Sequence, residues 1–450
     1  MAGGIWTSQN KVRPGAYINF ETGKAEVSQI GSRGIATMGL ELNWGKEDEL
    51  IELTMEDLVN GNSLAKVGFI LDDSESLIPE LALKNAATLK IYRLNKGGSK
   101  ASYTDTDTGL TITAKCKGTF GNKIAILVTA TGETGKFYVQ TYADGYLVDR
   151  QIAATIGDLV DNDYVEFTGT GTSALDAITS TLLTGGANGV MPTSTALVTR
   201  YQDYFTLLRA TKWNTLAILI GDTNVINATI LFIKEMRDSE GKYVQGVISA
   251  NDSTIDYEGI INNINGAVIN NTNITNYEFC AWVAGATAGA AFNESLTGKV
   301  VDGATAIINS KTSTEIIAGL EIGQFLLSLN QDGSAKVEKD INSLHTFTEK
   351  SYVFSKNRVI RELDEIGSGI ENIWETTYLG KVTNNTDGLT LFRSSIISYL
   401  TELENQGGID TFDTNSVVVT AGEDIDSVVA SIAIKPLDSM EFLYMTVNIQ

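Results

Sequence analysis

Apolar and polar positions alternate in runs that change period along the chain. Residues 34–40 and 87–94 have the apolar, β-branched character of strands, and between them Thr54 caps a helix that opens at Met55. Strand signals then recur with turn residues between them at 110–114, 123–129, 136–142, 146–152 and 164–168, followed by one predicted helix at 173–183. A buried strand at 215–220, an amphipathic helix at 224–237 and a strand at 244–249 form a strand–helix–strand unit, the signature of a parallel sheet. Residues 279–292 read as a close-packed helix rich in Ala and Gly. Beyond it, 341–348 and 350–354 read as extended and 357–371 as helical. Residues 389–405 place Leu389, Phe392, Ile396, Leu400 and Leu403 on one helix face, and strands are expected at 416–420 and 428–434.

The last ten residues, 441–450, alternate again with period two. Leu443, Met445, Val447 and Ile449 would line one face of a strand and Phe442, Tyr444 and Thr446 the other. Both faces call for burial. A strand of roughly nine residues spans about 30 Å, and its backbone groups need partners in its own domain or on another molecule. The other end is also apolar. Ile5, Trp6 and Val12 precede Pro14-Gly15-Ala16-Tyr17-Ile18-Asn19-Phe20, and twenty extended residues reach on the order of 65 Å, enough to join a neighbour's sheet edge.

These patterns predict a multidomain chain of α+β or α/β class. It has an α/β core with a parallel sheet, an inserted β-rich domain, a mixed C-terminal domain and extended terminal arms. The expected boundaries are an arm over 1–20, core over 21–95, β-rich insert over 96–190, core again over 191–340, C-terminal α+β domain over 341–435 and arm strand over 436–450. The break at Lys96-Gly97-Gly98-Ser99-Lys100 and the run Thr184-Gly185-Gly186-Ala187-Asn188-Gly189 bracket the insert.

Composition narrows the function. At 450 residues the chain exceeds one core. With 43% hydrophobic and 20% charged residues it has the make-up of folded protein rather than of a disordered chain. The 55 acidic against 33 basic residues, net −22, argue against a general nucleic-acid binder. The two cysteines, Cys116 and Cys280, are too few for a disulfide framework or a zinc cluster. No basic stretch followed by an apolar run opens the sequence, and 279–292 is too short and too interrupted to span a membrane, so synthesis in the cytoplasm is expected.

Candidate chemistry is sparse. His345 is the only histidine, and its setting lacks a nucleophile motif, which predicts a structural role. None of the Gly-Lys pairs has both the earlier glycine and the following Ser or Thr of a phosphate-binding loop. Asp105-Thr106-Asp107-Thr108-Gly109 departs from a calcium loop and reads as a hairpin turn. No catalytic, cofactor-binding or metal-binding residue is assigned. The basic cluster Lys350, Lys356, Arg358 and Arg361 is either a solvated helix face paired with Glu362 and Glu365 or a binding surface.

Several strings, in order along the chain, resemble the sheath proteins of contractile phage tails and R-type bacteriocin particles. They are the run from Gly3 to Phe20, Gly118-Thr119-Phe120-Gly121-Asn122, Leu183-Thr184-Gly185-Gly186, Ile341-Asn342-Ser343-Leu344, Tyr378-Leu379-Gly380-Lys381-Val382 and the run from Asp438 to Val447. The resemblance implies a non-enzymatic homo-oligomer stacked helically around an inner tail tube protein, alongside baseplate and terminator proteins. It implies that terminal arms complete a neighbouring subunit's sheet and that contraction needs no nucleotide. Trp6, Val12, Tyr17, Ile18, Phe20, Phe442, Leu443, Tyr444, Met445, Val447 and Ile449 are then the arm residues of the subunit interface. Lys350, Lys356, Arg358 and Arg361 are the candidates for facing the tube. A surface-layer-type assembly protein is the alternative.

Overall fold

The computed structural model describes residues 34–449, together with two short strands at Ala2–Gly4 and Gly15–Tyr17 that pair in parallel. The chain divides into two compact units, one comprising 32–364 with 438–450 and the other 1–31 with 365–437.

The larger unit is built on a seven-stranded sheet in the order Gln324–Phe325, Ile260–Asn263, Gln245–Ile248, Thr215–Ala217, Ile35–Leu40, Thr88–Arg93, Leu50–Leu53. Every neighbour pair is parallel except the last. Strands from before and after the β-rich segment therefore lie in one sheet. Successive side chains along a strand point to opposite faces, and both faces are covered here. Ala36, Met38, Leu89, Ile91, Ala217 and Val247 enter one core with helix Cys280–Gly289. Tyr92, Leu216, Ile218 and Ile248 enter a second core with helices Ser194–Arg209 and Thr223–Lys234. Burial on both faces is what turns these strands into short apolar runs.

The β-rich segment forms a four-stranded and a three-stranded antiparallel sheet, ordered Tyr146–Ala153, Phe137–Ala143, Ile124–Ala130, Ile178–Leu182 and Val165–Thr168, Thr111–Lys117, Lys100–Thr104. Ile112, Ala114, Phe120, Ile126, Val128, Val139 and Val165 share its core. Its entry and exit run side by side, bridged at Lys96/Val190, Ser99/Ala187 and Ser102/Thr184. The two strands approach so closely that a Cβ on Gly98 would lie 2.1 Å from the Ala187 carbonyl oxygen, and one on Gly189 would lie 2.3 Å from the Lys96 carbonyl carbon. Glycine is required there. The helix expected at 173–183 is absent. β-Branched Ile178, Thr179 and Thr181 stand instead in the strand Ile178–Leu182, paired with Ile124–Ala130, so tertiary pairing overrides the local pattern.

In the smaller unit, helix Thr386–Asn405 is capped by Asn385, whose side chain accepts from Gly388 N at 2.9 Å, and buries Phe392, Ile396, Tyr399, Leu400 and Leu403 along one stripe. Tyr399 Oη donates to the Glu365 carbonyl at 2.9 Å. Arg393 Nε donates to Val417 O at 2.7 Å, tying the helix to an antiparallel hairpin of Val417–Ala421 and Val428–Ile432.

Candidate subunit interface

The final strand expected at 441–450 does not form within the chain. Residues 437–449 have no strand pairing. Phe442 is 68% exposed, Leu443 84%, Tyr444 91%, Met445 73%, Val447 71% and Ile449 95%. The expected burial is therefore not supplied by the described residues of the protomer. The period-two alternation carries no information about which molecule supplies a partner strand. A run of exposed apolar residues of this kind marks an interaction segment.

The root of the arm is fixed. Glu441 accepts from Lys356 Nζ and, at 2.8 Å, from Thr297 Oγ1, while Asp438 lies 3.1 Å from Lys356 Nζ. Lys356 and Glu441 side chains are 4% and 6% exposed. Burial works to lower the Lys356 pKa, but the Glu441 hydrogen bond and the charges of Asp438 and Glu441 outweigh it and hold the ammonium above its ordinary value. Lys339 Nζ sits 5.7 Å from the Phe442 ring centroid. The arm is thus anchored at 438–441, with Phe442 near the Lys339 ammonium, and its apolar residues Leu443, Met445, Val447 and Ile449 are exposed.

The basic cluster is mostly spoken for within the chain. Arg361 is fully buried and donates to Asp340 Oδ2 and to the Glu294 carbonyl, both at 2.6 Å. Lys350 pairs with buried Glu258. Arg358 is half-buried. Lys356 and Arg361 therefore cannot serve as an outward tube-binding face, and they are not a solvated helix face either. Sequence reasoning missed their partners because Glu441 and Asp340 are distant along the chain. Of the N-terminal candidates, Tyr17 falls in the strand Gly15–Tyr17, and Trp6, Val12, Ile18 and Phe20 lie outside the described residues.

The 341–354 segment, expected to be extended, is irregular with a 3₁₀ turn at Tyr352–Ser355. There His345 Nδ1 lies 2.9 Å from Ser343 O, and its backbone N–H donates to Asp256 Oδ1 at 2.8 Å. Burial tends to raise the Asp256 pKa, but hydrogen bonds from Thr346 and His345 outweigh it and lower it. Among the described residues, no group of three or more His, Cys, Asp and Glu is arranged to hold a metal ion, and no helix is long and apolar enough to cross a membrane.

The smaller unit offers a sheet with open sides. Its hairpin has two strands, and neither outer edge is paired among the described residues. Two strands alone are marginal in water.

Comparison with known proteins agrees with this architecture. Residues 96–188 match the phage tail sheath protein beta-sandwich domain, 196–343 its central domain and 349–450 the phage tail sheath C-terminal domain. The chain is 37% identical to the sheath tail protein of Desulfitobacterium hafniense, covering 95% of this chain and 98% of that one, with a TM-score of 0.80. It is 32% identical to the phage-like element PBSX protein XkdK of Bacillus subtilis over the whole of both chains. At 11% identity and a TM-score of 0.57, covering 97% of this chain and 98% of that one, it shares the fold of the helical sheath of the anti-feeding prophage in its contracted state. The two-layered β insert, the split parallel sheet and the full-length likeness agree, and the chain belongs to the contractile phage tail sheath family.

Proposed function

We propose that this chain polymerises helically around an inner tail tube, with the arm at 442–449 of each copy adding to the Val417–Ala421/Val428–Ile432 hairpin of another. The observation that carries the reading is the pairing of two unmet needs in one chain, an anchored apolar arm and an open-edged hairpin. Each added strand contributes several backbone hydrogen bonds at roughly 0.5 to 1.5 kcal/mol net, with apolar burial at about 25 cal/mol per Å². The N-terminal segment, with Trp6, Val12, Tyr17, Ile18 and Phe20, joins the same mesh. Lys350 and Arg358 remain candidates for facing the tube.

Contraction on this reading needs no nucleotide, since an extended lattice held by a kinetic barrier releases packing energy when triggered. The role is structural and non-enzymatic. The subunit is made in the bacterial cytoplasm and meets the tube, the baseplate and a terminator in the assembled tail. The test is deletion of 442–450. The variant should remain a folded monomer with its melting temperature within about 2 °C of the parent and form no tubes. Tubes of normal length from the truncated chain would refute arm exchange.

A further inference from the structure

One end of the hairpin borders an apolar cleft of about 420 Å³ in the smaller unit, lined by Trp374, Tyr378, Phe392, Leu389, Ile425 and Val428. Its aromatic wall is preformed, with Phe392 5.1 Å from Trp374 and 4.8 Å from Tyr378 between ring centroids. A dry cavity of about 150 Å³ already admits a benzene ring. Asn384 lines the cleft as well. Its amide donates to the carbonyls of Ile425 and Ser427, and its Oδ1 is buried with no hydrogen-bond partner among the described residues. The site suits an aromatic ring that carries a donor, which is the chemistry of tyrosine.

We infer that this cleft receives Tyr444 of a second copy of the chain, with Tyr444 Oη donating to Asn384 Oδ1; this rests on the arm exchange proposed above. Register supports it. Residues 445–449 match in number the five residues Val428–Ile432, the hairpin strand whose first residue lines the cleft. A parallel alignment of 445 with 428 places Tyr444 one step beyond Val428, beside the cleft. An antiparallel alignment would bring Ile449 there instead and leave the arm's aromatic residues at the far end.

The test uses full-length chains with paired cysteines at exposed positions. Oxidised assemblies of Ile425→Cys/Tyr444→Cys should give a ladder of covalent multimers on a non-reducing gel, and the single variant Tyr444→Cys should not. Tyr444→Ala should raise the critical concentration for tubes by about tenfold and Tyr444→Phe by about threefold. Tubes without a ladder, or a ladder from Ile425→Cys/Ile449→Cys in its place, would overturn Tyr444 as the occupant while leaving arm exchange intact. Absence of tubes from the parent chain and all variants would overturn both.

Discussion

Arg361 places its guanidinium at a position with no exposed surface, opposite an Asp340 side chain that is 1% exposed. Removing one partner of such a pair leaves the other uncompensated, so Arg361→Ala should cost about 3–5 kcal/mol, read as a lower denaturation midpoint. Charge reversal at Arg361 or Lys356 should therefore unfold or loosen the chain rather than selectively weaken tube binding. Lys356 adds a pH dependence. Its folded pKa lies above the ordinary 10.5, so its contribution is complete below that value and is lost as pH rises through the folded pKa. Lys356→Met should flatten the fall in melting temperature above about pH 10 relative to the parent, and an unchanged alkaline limb would contradict a stabilising role for the Lys356–Glu441 pair. The helix that carries Arg361, expected over 357–371, forms over Asn357–Ile373, with Lys356 just before it. The partners of Lys356 and Arg361 were not legible in the sequence, because Lys356 and Glu441 are 85 positions apart and charge spacing reports only neighbours on one helix.

The helix Cys280–Gly289 illustrates what an element's composition can and cannot tell. Its small residues signalled a close neighbour, and that neighbour is the helix Leu77–Leu83, with the turn that follows it. A Cβ on Gly285 would lie 2.2 Å from the Ala82 carbonyl oxygen, and one on Gly289 1.9 Å from that of Asn85. Glycine to alanine inside a helix ordinarily stabilises by up to about 1 kcal/mol. Gly285→Ala should instead destabilise by about 1–3 kcal/mol in chemical denaturation, because backbone must move. The central strands were readable because a sheet buried on both faces leaves uninterrupted apolar runs. The period-two alternation over 442–449 signalled a burial that the described residues do not supply. The proposed mesh also includes the N-terminal segment. Deleting residues 1–14 should leave the melting temperature little changed and abolish tubes, checked by calorimetry and negative-stain microscopy on the same sample.

As a whole molecule, the subunit combines well-packed units with an exposed apolar segment rooted by ion pairs, the combination that the proposed arm exchange requires. The multidomain fold class was visible from the changes in hydrophobic period. The hairpin's open edges were not, since strand signals do not reveal how many partners a strand will have. The net charge of −22 keeps so exposed a segment compatible with solubility. The most direct measurement is a helical reconstruction of tubes assembled from the full-length chain. Continuous density should run from Glu441 of one subunit into a third strand beside Val428–Ile432 of an adjacent one. Density for 442–449 folded back onto its own subunit, with the hairpin edge bare, would contradict the strand-exchange model.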